Sequence, residues 1–365
     1  MAYGTLQIFD TIGAKKAAYN QFIQAYDEAT LYQQLEIFLQ AHNRLLMMMM
    51  DDFTEPTQDR FMTWGSNDTV DVIEGDEFSR PDVQKTAPAP TIMGFPMRLR
   101  QIAWGVTRMF MQTKTIGDLE QVATAIMDAD KRDLSRSIRA TLFNPLNNPT
   151  YVDRYLDGAT YPVRALLNAD GVYIKPDMYG NKFNPATHTH FLGATTAGTV
   201  ADADVQALLG TVLEHYAYGT PIIYINRAQE VAFRGLTTTS VKFYPYADPR
   251  VTFGYNNDRA LGKTLDNMDI YNRPIGIYQQ SEVWIKPWVP AGYMFCFNPA
   301  APKPLRLRTR NAQRGDLHVA ADIDMYPLRA QFMEREYGLG VFERTNGACL
   351  CTTATTYAAP AAWTF

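Results

Sequence analysis

Apolar residues recur at helical spacing through the first part of the chain. The residues at this spacing are Leu31, Leu35, Phe38, Leu45 and Met49. Intervals of three, four and seven residues place apolar side chains on one face of a helix. The pattern therefore predicts one or two amphipathic helices within 14–50, with the methionines at the end of this segment as adaptable apolar packing.

Between residues 51 and 113 the pattern changes to short pieces separated by proline and glycine. Strand-like alternation occurs at 69–73 and 99–110, and no stretch has helix-length periodicity. An extended segment of this length with little core of its own is uncommon in a compact domain and is usually functional or bound to a partner. We therefore expect this excursion to pack against a neighbouring subunit.

A long helix is predicted after residue 115. Its apolar stripe consists of Leu119, Val122, Ile126, Ala129, Leu134, Ile138 and Leu142. Asp118 is the expected N-cap, and Asn144-Pro145 ends the run. A helix of about 25 residues is roughly 38 Å long, which suits a rigid support for the fold. The opposite, charged face is predicted to be solvated.

The second half of the chain predicts a small mixed lobe followed by strands. Residues 145–200 are rich in Asn, Pro, Gly, Tyr and Thr, which is typical of loops and short strands. A helix at 202–216, a buried strand at 221–225 and a second helix at 226–236 are predicted next. Strands separated by proline-containing turns are then expected as far as residue 315.

The last fifty residues contain a strong turn signal. Asn346-Gly347 lies between two apolar runs, the first of which includes 337–341. A type I′ turn requires positive φ at both central residues, and Asn-Gly suits this conformation. The pattern predicts a β-hairpin in a tail that offers neither a nucleophile paired with a base nor a set of metal ligands.

The composition is that of a globular protein with more than one lobe. Of 365 residues, 46% are hydrophobic and 20% are charged, and the length exceeds the usual ~100–200 residues of one domain. The net charge of −4 argues against a protein that neutralises many phosphates. The three cysteines are odd in number, so we expect no disulfide framework and a reducing compartment. We expect neither a secretion signal nor a membrane span.

One pair of histidines has the spacing of metal ligands. His188 and His190 are alternate residues, which share one face of an extended chain. A metal site needs three or four ligands, and no neighbouring Cys or His in the sequence completes one; Asp202 and Asp204 are the nearest carboxylate pair. We therefore predict no metal site and no cofactor.

A basic ribbon follows residue 302, in which Arg306, Arg308 and Arg310 would share one face of a strand. Two interpretations remain open: contact with DNA or an acidic neighbour, or a solvated edge that prevents unwanted strand pairing. Opposite potentials steer assembly, so an acidic loop earlier in the chain offers intersubunit partners. These candidates are Asp68, Asp71, Glu74, Asp76 and Glu77.

The order of these elements resembles that of the major capsid proteins of tailed bacteriophages. The stretches that carry the resemblance are 113–119, which lead into the long helix, and 326–328 with 337–341 near the end. The resemblance implies an α+β fold that begins with a helical N-arm at 1–61 and an extended E-loop hairpin at 62–114. It implies next a peripheral P-domain at 115–199, which contains the spine helix and a loop insertion, and an axial A-domain at 200–315. C-terminal strands at 316–365 would return to the P-domain.

For function, the resemblance implies a structural subunit and not an enzyme. Copies would assemble into hexamers and pentamers that form an icosahedral shell around double-stranded DNA in a virion, after assembly in the bacterial cytoplasm. The implied partners are further copies of the chain, portal proteins, scaffolding or decoration proteins, and non-specifically contacted DNA, without a membrane.

Some members of this family join an E-loop lysine to a P-domain asparagine on a neighbouring subunit, helped by a glutamate. Lys85 lies in the E-loop candidate, and Glu334 and Glu336 lie on the matching strand. Residues 322–337 contain no asparagine, and Asn346 is explained by its turn. We therefore predict no cross-link, with Lys85 kept as a candidate intersubunit residue.

Two alternatives to a phage capsid stay open. An encapsulin-like shell that holds protein cargo would share the fold. A strand-rich hydrolase that binds sugars through aromatic residues would depend on Trp284, Trp288 and the many tyrosines.

Overall fold

The computed structural model describes residues 23, 28–65, 74, 77–78, 90–154, 156–177, 179–236, 243–247, 261–264, 272–311, 315–326 and 328–360. Two sheets dominate this part of the chain, one of five strands and one of eight, and two further pairs of strands lie outside them. The predicted α+β class is confirmed, because helices and largely antiparallel strands are combined in one chain.

The helices are α1 Glu28–Met50, α2 Arg108–Thr113, α3 Ile116–Leu142, α4 Asp202–Leu213 and α5 Glu230–Arg234, with a short 3₁₀ helix at Arg227–Gln229. The earlier strands are β1 Thr54–Thr57, β2 Phe61–Trp64, β3 Thr91–Gly94, β4 Arg98–Thr107, β5 Asn148–Val152, β6 Thr160–Val163 and β7 Phe191–Gly193. The later strands are β8 Ile222–Ile225, β9 Phe243–Ala247, β10 Leu261–Thr264, β11 Arg273–Tyr278, β12 Ser281–Ile285, β13 Tyr293–Phe297, β14 Leu305–Arg308, β15 His318–Met325, β16 Leu328–Val341 and β17 Ala348–Cys351. Among the described helices, none is both long enough and apolar enough to cross a membrane.

The predicted long helix is confirmed as α3, and its apolar stripe faces the core through Ile126, Leu134 and Ile138. The predicted N-cap is wrong. Thr115 is the cap, since its side chain accepts from the Asp118 N–H while the Asp118 carboxylate accepts from the Thr115 N–H. This reciprocal capping box places Asp118 in the first turn of the helix, where a carboxylate also complements the helix dipole.

The five-stranded sheet is organised by β16, the longest of the described strands. Its N-terminal half, 328–334, pairs with β15 on one edge and with β4 on the other. Its C-terminal end pairs with β14, which in turn pairs with β1. Three strands, β4, β14 and β15, therefore pair with β16, and β1 joins the sheet through β14.

Two glycines of β16 allow another segment to cross the strand at close range. A Cβ atom on Gly338 would lie 1.4 Å from the carbonyl oxygen of Pro96, and one on Gly340 would lie 2.7 Å from the Phe95 ring. Such separations are far below van der Waals contact, so a side chain at either position would displace the segment between β3 and β4. Close backbone approach explains the glycines at 338 and 340.

The eight-stranded sheet has the order β10-β9-β11-β12-β8-β13-β17-β7. Val205, Leu208 and Val212 of α4 pack on it, and Phe233 of α5 joins the same core. The sheet contains β17, although the sequence analysis placed all of 316–365 with the P-domain. Similarly, β14 lies in the five-stranded sheet although 200–315 was assigned to the A-domain. The predicted domain limits therefore do not coincide with the sheets.

The predicted hairpin at Asn346-Gly347 is wrong. The flanking strands β16 and β17 belong to different sheets, and neither residue has positive φ. The Asn346 side chain is fully buried, accepts from the Asn298 N–H, and donates to the carbonyl oxygens of Asn298 and Pro302. Asn346 is thus a tertiary anchor, and its partners lie more than forty residues away in sequence.

A buried ion-pair triad joins the two long helices to β16. The Asp130 carboxylate of α3 lies 2.9 Å from Nη1 of Arg335 on β16 and 2.9 Å from Nε2 of His42 on α1. Asp130 and Arg335 are 3% and 1% exposed. Because a buried charge is costly unless it is paired, this carboxylate specifies how the three elements meet.

We predict that Asp130→Ala lowers the free energy of unfolding by about 3–5 kcal/mol, because it leaves the buried Arg335 guanidinium without its carboxylate. The control Asp128→Ala changes an exposed residue of the same helix and is expected to change that free energy by less than about 0.5 kcal/mol. Urea denaturation of both variants, followed by circular dichroism, measures the difference. Equal stabilities for the two variants would contradict the structural role of Asp130.

Candidate assembly surfaces

A three-stranded tongue extends from the five-stranded sheet; it consists of β4, β15 and the first half of β16. On one side of the tongue Met333 and Leu317 pack in a core with Leu39 of α1 and Ile126 of α3. The rest of β15 from Val319 onward is exposed along its length. The tongue is therefore anchored at its base and open to solvent beyond it.

Large apolar side chains crowd the tip of this tongue. Met325 and Tyr326 are 70% and 81% exposed, and Leu328 is also exposed. Leu328 pairs with Thr107 at the end of β4, directly before α2, where Met109 is exposed as well. An apolar cluster at the end of an extended element is typical of a protein–protein contact site.

Two other extended elements also present apolar side chains to solvent. Helix α1 exposes Ile37, Met47 and Met48 on the face that does not contact the core. The predicted extended hairpin has an antiparallel base formed by β2 and β3, where Phe61 and Ile92 are exposed. These surfaces and the tongue tip lie on three separate elements, which are α1, the β2–β3 pair and one end of the five-stranded sheet.

The acidic loop lies largely outside the described residues. Of its candidates, Glu74 and Glu77 are exposed. Asp68, Asp71 and Asp76 fall outside the described residues, as does the candidate cross-linking residue Lys85. An intersubunit role for these residues stays a prediction.

The basic ribbon is not a solvated edge, because β14 is enclosed between β1 and β16. Arg306 forms an ion pair with Glu55 of β1 and lies 4.5 Å from the centre of the Phe342 ring. Arg310 lies 3.3 Å from Glu336 and keeps 41% of its side chain exposed. These partners lie within the subunit, and an intersubunit role for the three arginines stays a prediction; of the three, Arg310 has the most exposed side chain.

Arg308 lies in a fully enclosed polar network. Its Nη1 donates to the carbonyl oxygen of Phe95 at 2.9 Å and lies 3.2 Å from the Asp153 carboxylate. Tyr161 donates to the same carboxylate, and burial together with the Asp153 charge raises the pKa of Tyr161. The network ties the segment before β4 to the β5–β6 pair, so Arg308 supports the subunit from inside.

The aromatic residues proposed for sugar binding serve the core instead. Trp288 is fully buried, with its ring centre 5.3 Å from that of Phe53 and 5.6 Å from that of Tyr224. Trp284 packs against the same core, and the Lys286 ammonium lies 4.8 Å from its ring centre. An enclosed tryptophan cannot stack on a sugar, so Trp288 gives the hydrolase alternative no support.

Sequence reasoning also missed a cluster of side chains around the histidine pair. His215 and Glu214, at the end of α4, lie beside His188 and His190. The expectation that no further histidine completes the pair is therefore wrong. Only the tertiary fold reveals the cluster, because His215 is 25 residues from His190 and lies beyond helix α4.

No family model and no curated protein sequence matches this chain. Its structure is similar to one from Mycobacterium phage Patience, with a TM-score of 0.66 and 21% sequence identity over 92% of this chain and 91% of that chain. The chain has the fold of phage capsid proteins. It is also similar to the capsid asymmetric unit of cyanophage A-1(L), with a TM-score of 0.49 and 14% sequence identity over 84% of this chain and 92% of that chain. The similarity to an encapsulin complex from Synechococcus elongatus has a TM-score of 0.47, with 13% sequence identity over 85% of this chain and 89% of that chain.

The capsid fold predicted from the order of elements is thus confirmed, with the long spine helix at α3. Helix α1 precedes the spine helix in the predicted order, and the β2–β3 pair forms the base of the predicted extended hairpin. The apolar surfaces described above lie on these peripheral elements of the capsid fold.

We predict that Arg308→Ala destabilises the isolated capsid-fold subunit by about 3 kcal/mol, because the buried Asp153 carboxylate then keeps only Tyr161 and the more distant Arg60 guanidinium at 3.9 Å. The control Arg136→Ala removes an exposed arginine of the spine helix and is expected to cost less than about 0.5 kcal/mol. Chemical denaturation of unassembled protein measures both effects. An Arg308→Ala subunit of normal stability that fails only in assembly would instead support an intersubunit role.

Proposed function

We propose that this chain is the major capsid protein of a tailed bacteriophage. Copies of it assemble into hexamers and pentamers, and these form an icosahedral shell that encloses double-stranded DNA. The function is structural, and we assign no catalytic residues and no cofactor to it.

The observation that carries this proposal is the combination of two features. The chain has the phage capsid fold, and apolar side chains are exposed on α1, on the β2–β3 pair and at the tongue tip. A monomeric protein rarely exposes contiguous apolar surface beyond a few hundred Å². The tongue tip, the outer face of α1 and the base of the β2–β3 hairpin lose this unfavourable exposure when neighbouring copies cover them. Summed over one subunit, such contacts reach the several thousand Å² of large obligate interfaces.

In this proposal the parts of the subunit have distinct roles. The arm at 1–61 and the E-loop at 62–114 reach neighbouring subunits, and the spine helix with the tongue forms the peripheral domain. The lobe around the eight-stranded sheet supplies the axial contacts within a hexamer or pentamer. Glu74, Glu77 and Arg310 are exposed charges that can set the register between neighbours.

The proposed partners are further copies of the chain, a portal protein, scaffolding or decoration proteins, and packaged DNA. In this proposal the contact with DNA is non-specific. The net charge of −4 fits this, because tight DNA binding requires a protein that neutralises many phosphates. The proposed location is the virion capsid, after assembly in the cytoplasm of the bacterial host.

We predict that the overexpressed chain forms closed polyhedral shells, tubes or capsomer rings, which negative-stain electron microscopy detects directly. Tyr326→Asp is expected to reduce the assembled fraction roughly tenfold or more, because an unpaired carboxylate buried at a contact costs ~1–3 kcal/mol. The control Tyr179→Asp alters a tyrosine of similar exposure (74%) in the loop between β6 and β7 and is expected to assemble normally.

A chain that stays a compact monomer at high concentration would refute the proposal. Normal assembly of Tyr326→Asp would remove the tongue tip from the contacts while leaving the shell itself intact. The contents of native particles decide between the two kinds of shell: nuclease-protected DNA supports a phage capsid, whereas a protein cargo supports an encapsulin-like compartment.

We also predict that assembled particles contain no covalent link between subunits. Glu336, on the strand where a family cross-link would be assisted, is 1% exposed and faces Arg310 of its own subunit. A denaturing gel of boiled particles is expected to show one band at the subunit mass, 41.2 kDa. A ladder of higher multiples would contradict this prediction and would direct attention to Lys85.

A further inference from the structure

Three of the five histidines of the chain converge on one point. The Nε2 atoms of His188, His190 and His215 are 3.0–3.2 Å apart in all three pairings. The Glu214 carboxylate lies 3.4 Å from Nε2 of His188, and the four ligand atoms all lie within 4.8 Å of one another. His190 is fully buried, whereas Glu214 closes the solvent side of the cluster.

Two separate parts of the fold hold these side chains in place. His188 and His190 occupy alternate positions of an extended segment that leads into β7, which directs both rings to one side. The backbone of His190 is fixed on both sides, because its N–H donates to Leu167 and its carbonyl oxygen accepts from Cys349. Glu214 and His215 directly follow the last turn of α4, which is packed against the eight-stranded sheet.

Hydrogen bonding among the three rings cannot satisfy all of them. His190 Nδ1 lies 2.7 Å from the carbonyl oxygen of Gly347, and a carbonyl only accepts, so Nδ1 carries the proton and Nε2 presents a lone pair. Each neutral Nε2 is either a donor or an acceptor, so at least two of the three are of the same kind. Two like groups at 3.0–3.2 Å repel each other, and a cation bound between the lone pairs would remove this conflict.

Two contacts hold the histidine rings in the arrangement that a metal ion needs. The Phe183 ring covers the cluster, with its centre 4.9 Å from that of His188 and 4.2 Å from that of His215. The bond from His190 Nδ1 to a carbonyl is the usual outer-shell contact that fixes the orientation of a metal-binding histidine.

We propose that His188, His190 and His215 bind a zinc ion, with Glu214 as the fourth ligand. Zinc accepts histidine nitrogens at ~2.0–2.1 Å in tetrahedral geometry, which places such nitrogens roughly 3.3 Å apart. The spacing of 3.0–3.2 Å in this cluster needs little adjustment to reach that arrangement. A site with four protein ligands leaves no open position, so the ion is structural and not catalytic.

The consequence is a link between two segments of the chain that both lie against the eight-stranded sheet. The ion joins the loop insertion before β7 to the end of α4, and through Gly347 it lies beside the turn that leads into β17. A ligand that binds only the folded state adds to stability by mass action. The site lies within one subunit, and its existence does not depend on shell formation.

The test uses the full-length chain, stripped of metal with a chelator, desalted, and then exposed to zinc chloride. After removal of free ion, mass spectrometry is expected to find about one zinc per chain in the wild type and a small fraction of that in His215→Gln. The control His318→Gln alters a histidine outside the cluster whose side chain is 37% exposed and is expected to retain zinc as the wild type does. Equal zinc contents in the wild type and His215→Gln would overturn the proposal.

A second measurement separates loss of the site from loss of the fold. Cobalt(II) added to the metal-free wild type is expected to give the intense visible absorption bands of a tetrahedral site, and their absence would overturn the proposal without any variant. Chelation is expected to lower the Tm of the wild type and of His318→Gln, but not that of His215→Gln. Preferential retention of nickel over zinc from an equimolar mixture would overturn the assignment to zinc, since nickel(II) favours square-planar or tetragonal sites and not the tetrahedral site proposed here.

Discussion

The Asp130 carboxylate is the contact on which the body of the subunit depends, because it joins α1, the spine helix and β16 in a region closed to water. The same principle recurs where Arg308 meets Asp153 and where Arg344 meets Asp170. A buried charge is tolerated only with its partner in place. Each pair therefore specifies which distant segments must meet, whereas apolar packing alone would accept several arrangements.

The parts of this fold that sequence reasoning could predict are those governed by local periodicity. The spine helix was predicted with its observed limits because its apolar stripe repeats over 27 residues and because proline follows it. The order of these elements carried the resemblance to phage capsid proteins, and that resemblance implied the fold. The cap was misassigned to Asp118 since both members of a capping box have the composition of a cap, and only the backbone conformation distinguishes Thr115 as the first.

Features that depend on distant contacts could not be predicted in this way. Asn346-Gly347 has the composition of a hairpin turn, yet the side chain of Asn346 finds its partners at Asn298 and Pro302. Alternate arginines on β14 suggest an exposed face, but β1 covers the strand from a part of the chain about 250 residues earlier. Likewise, the partner of the His188 and His190 pair is supplied by a helix end, a position that no spacing rule connects to it.

The internal use of charge has a consequence for how subunits would associate. Arg306 and Arg308 are occupied inside the subunit, so long-range attraction between copies must depend on a smaller set of exposed charges such as Glu74, Glu77 and Arg310. The apolar tongue tip supplies area but little direction, because hydrophobic contact is non-directional. Direction can come from β15, which lies at the edge of the described five-stranded sheet and pairs there with β16. Assembly would then be specified by strand geometry and stabilised by apolar burial, with charge limited to setting the register.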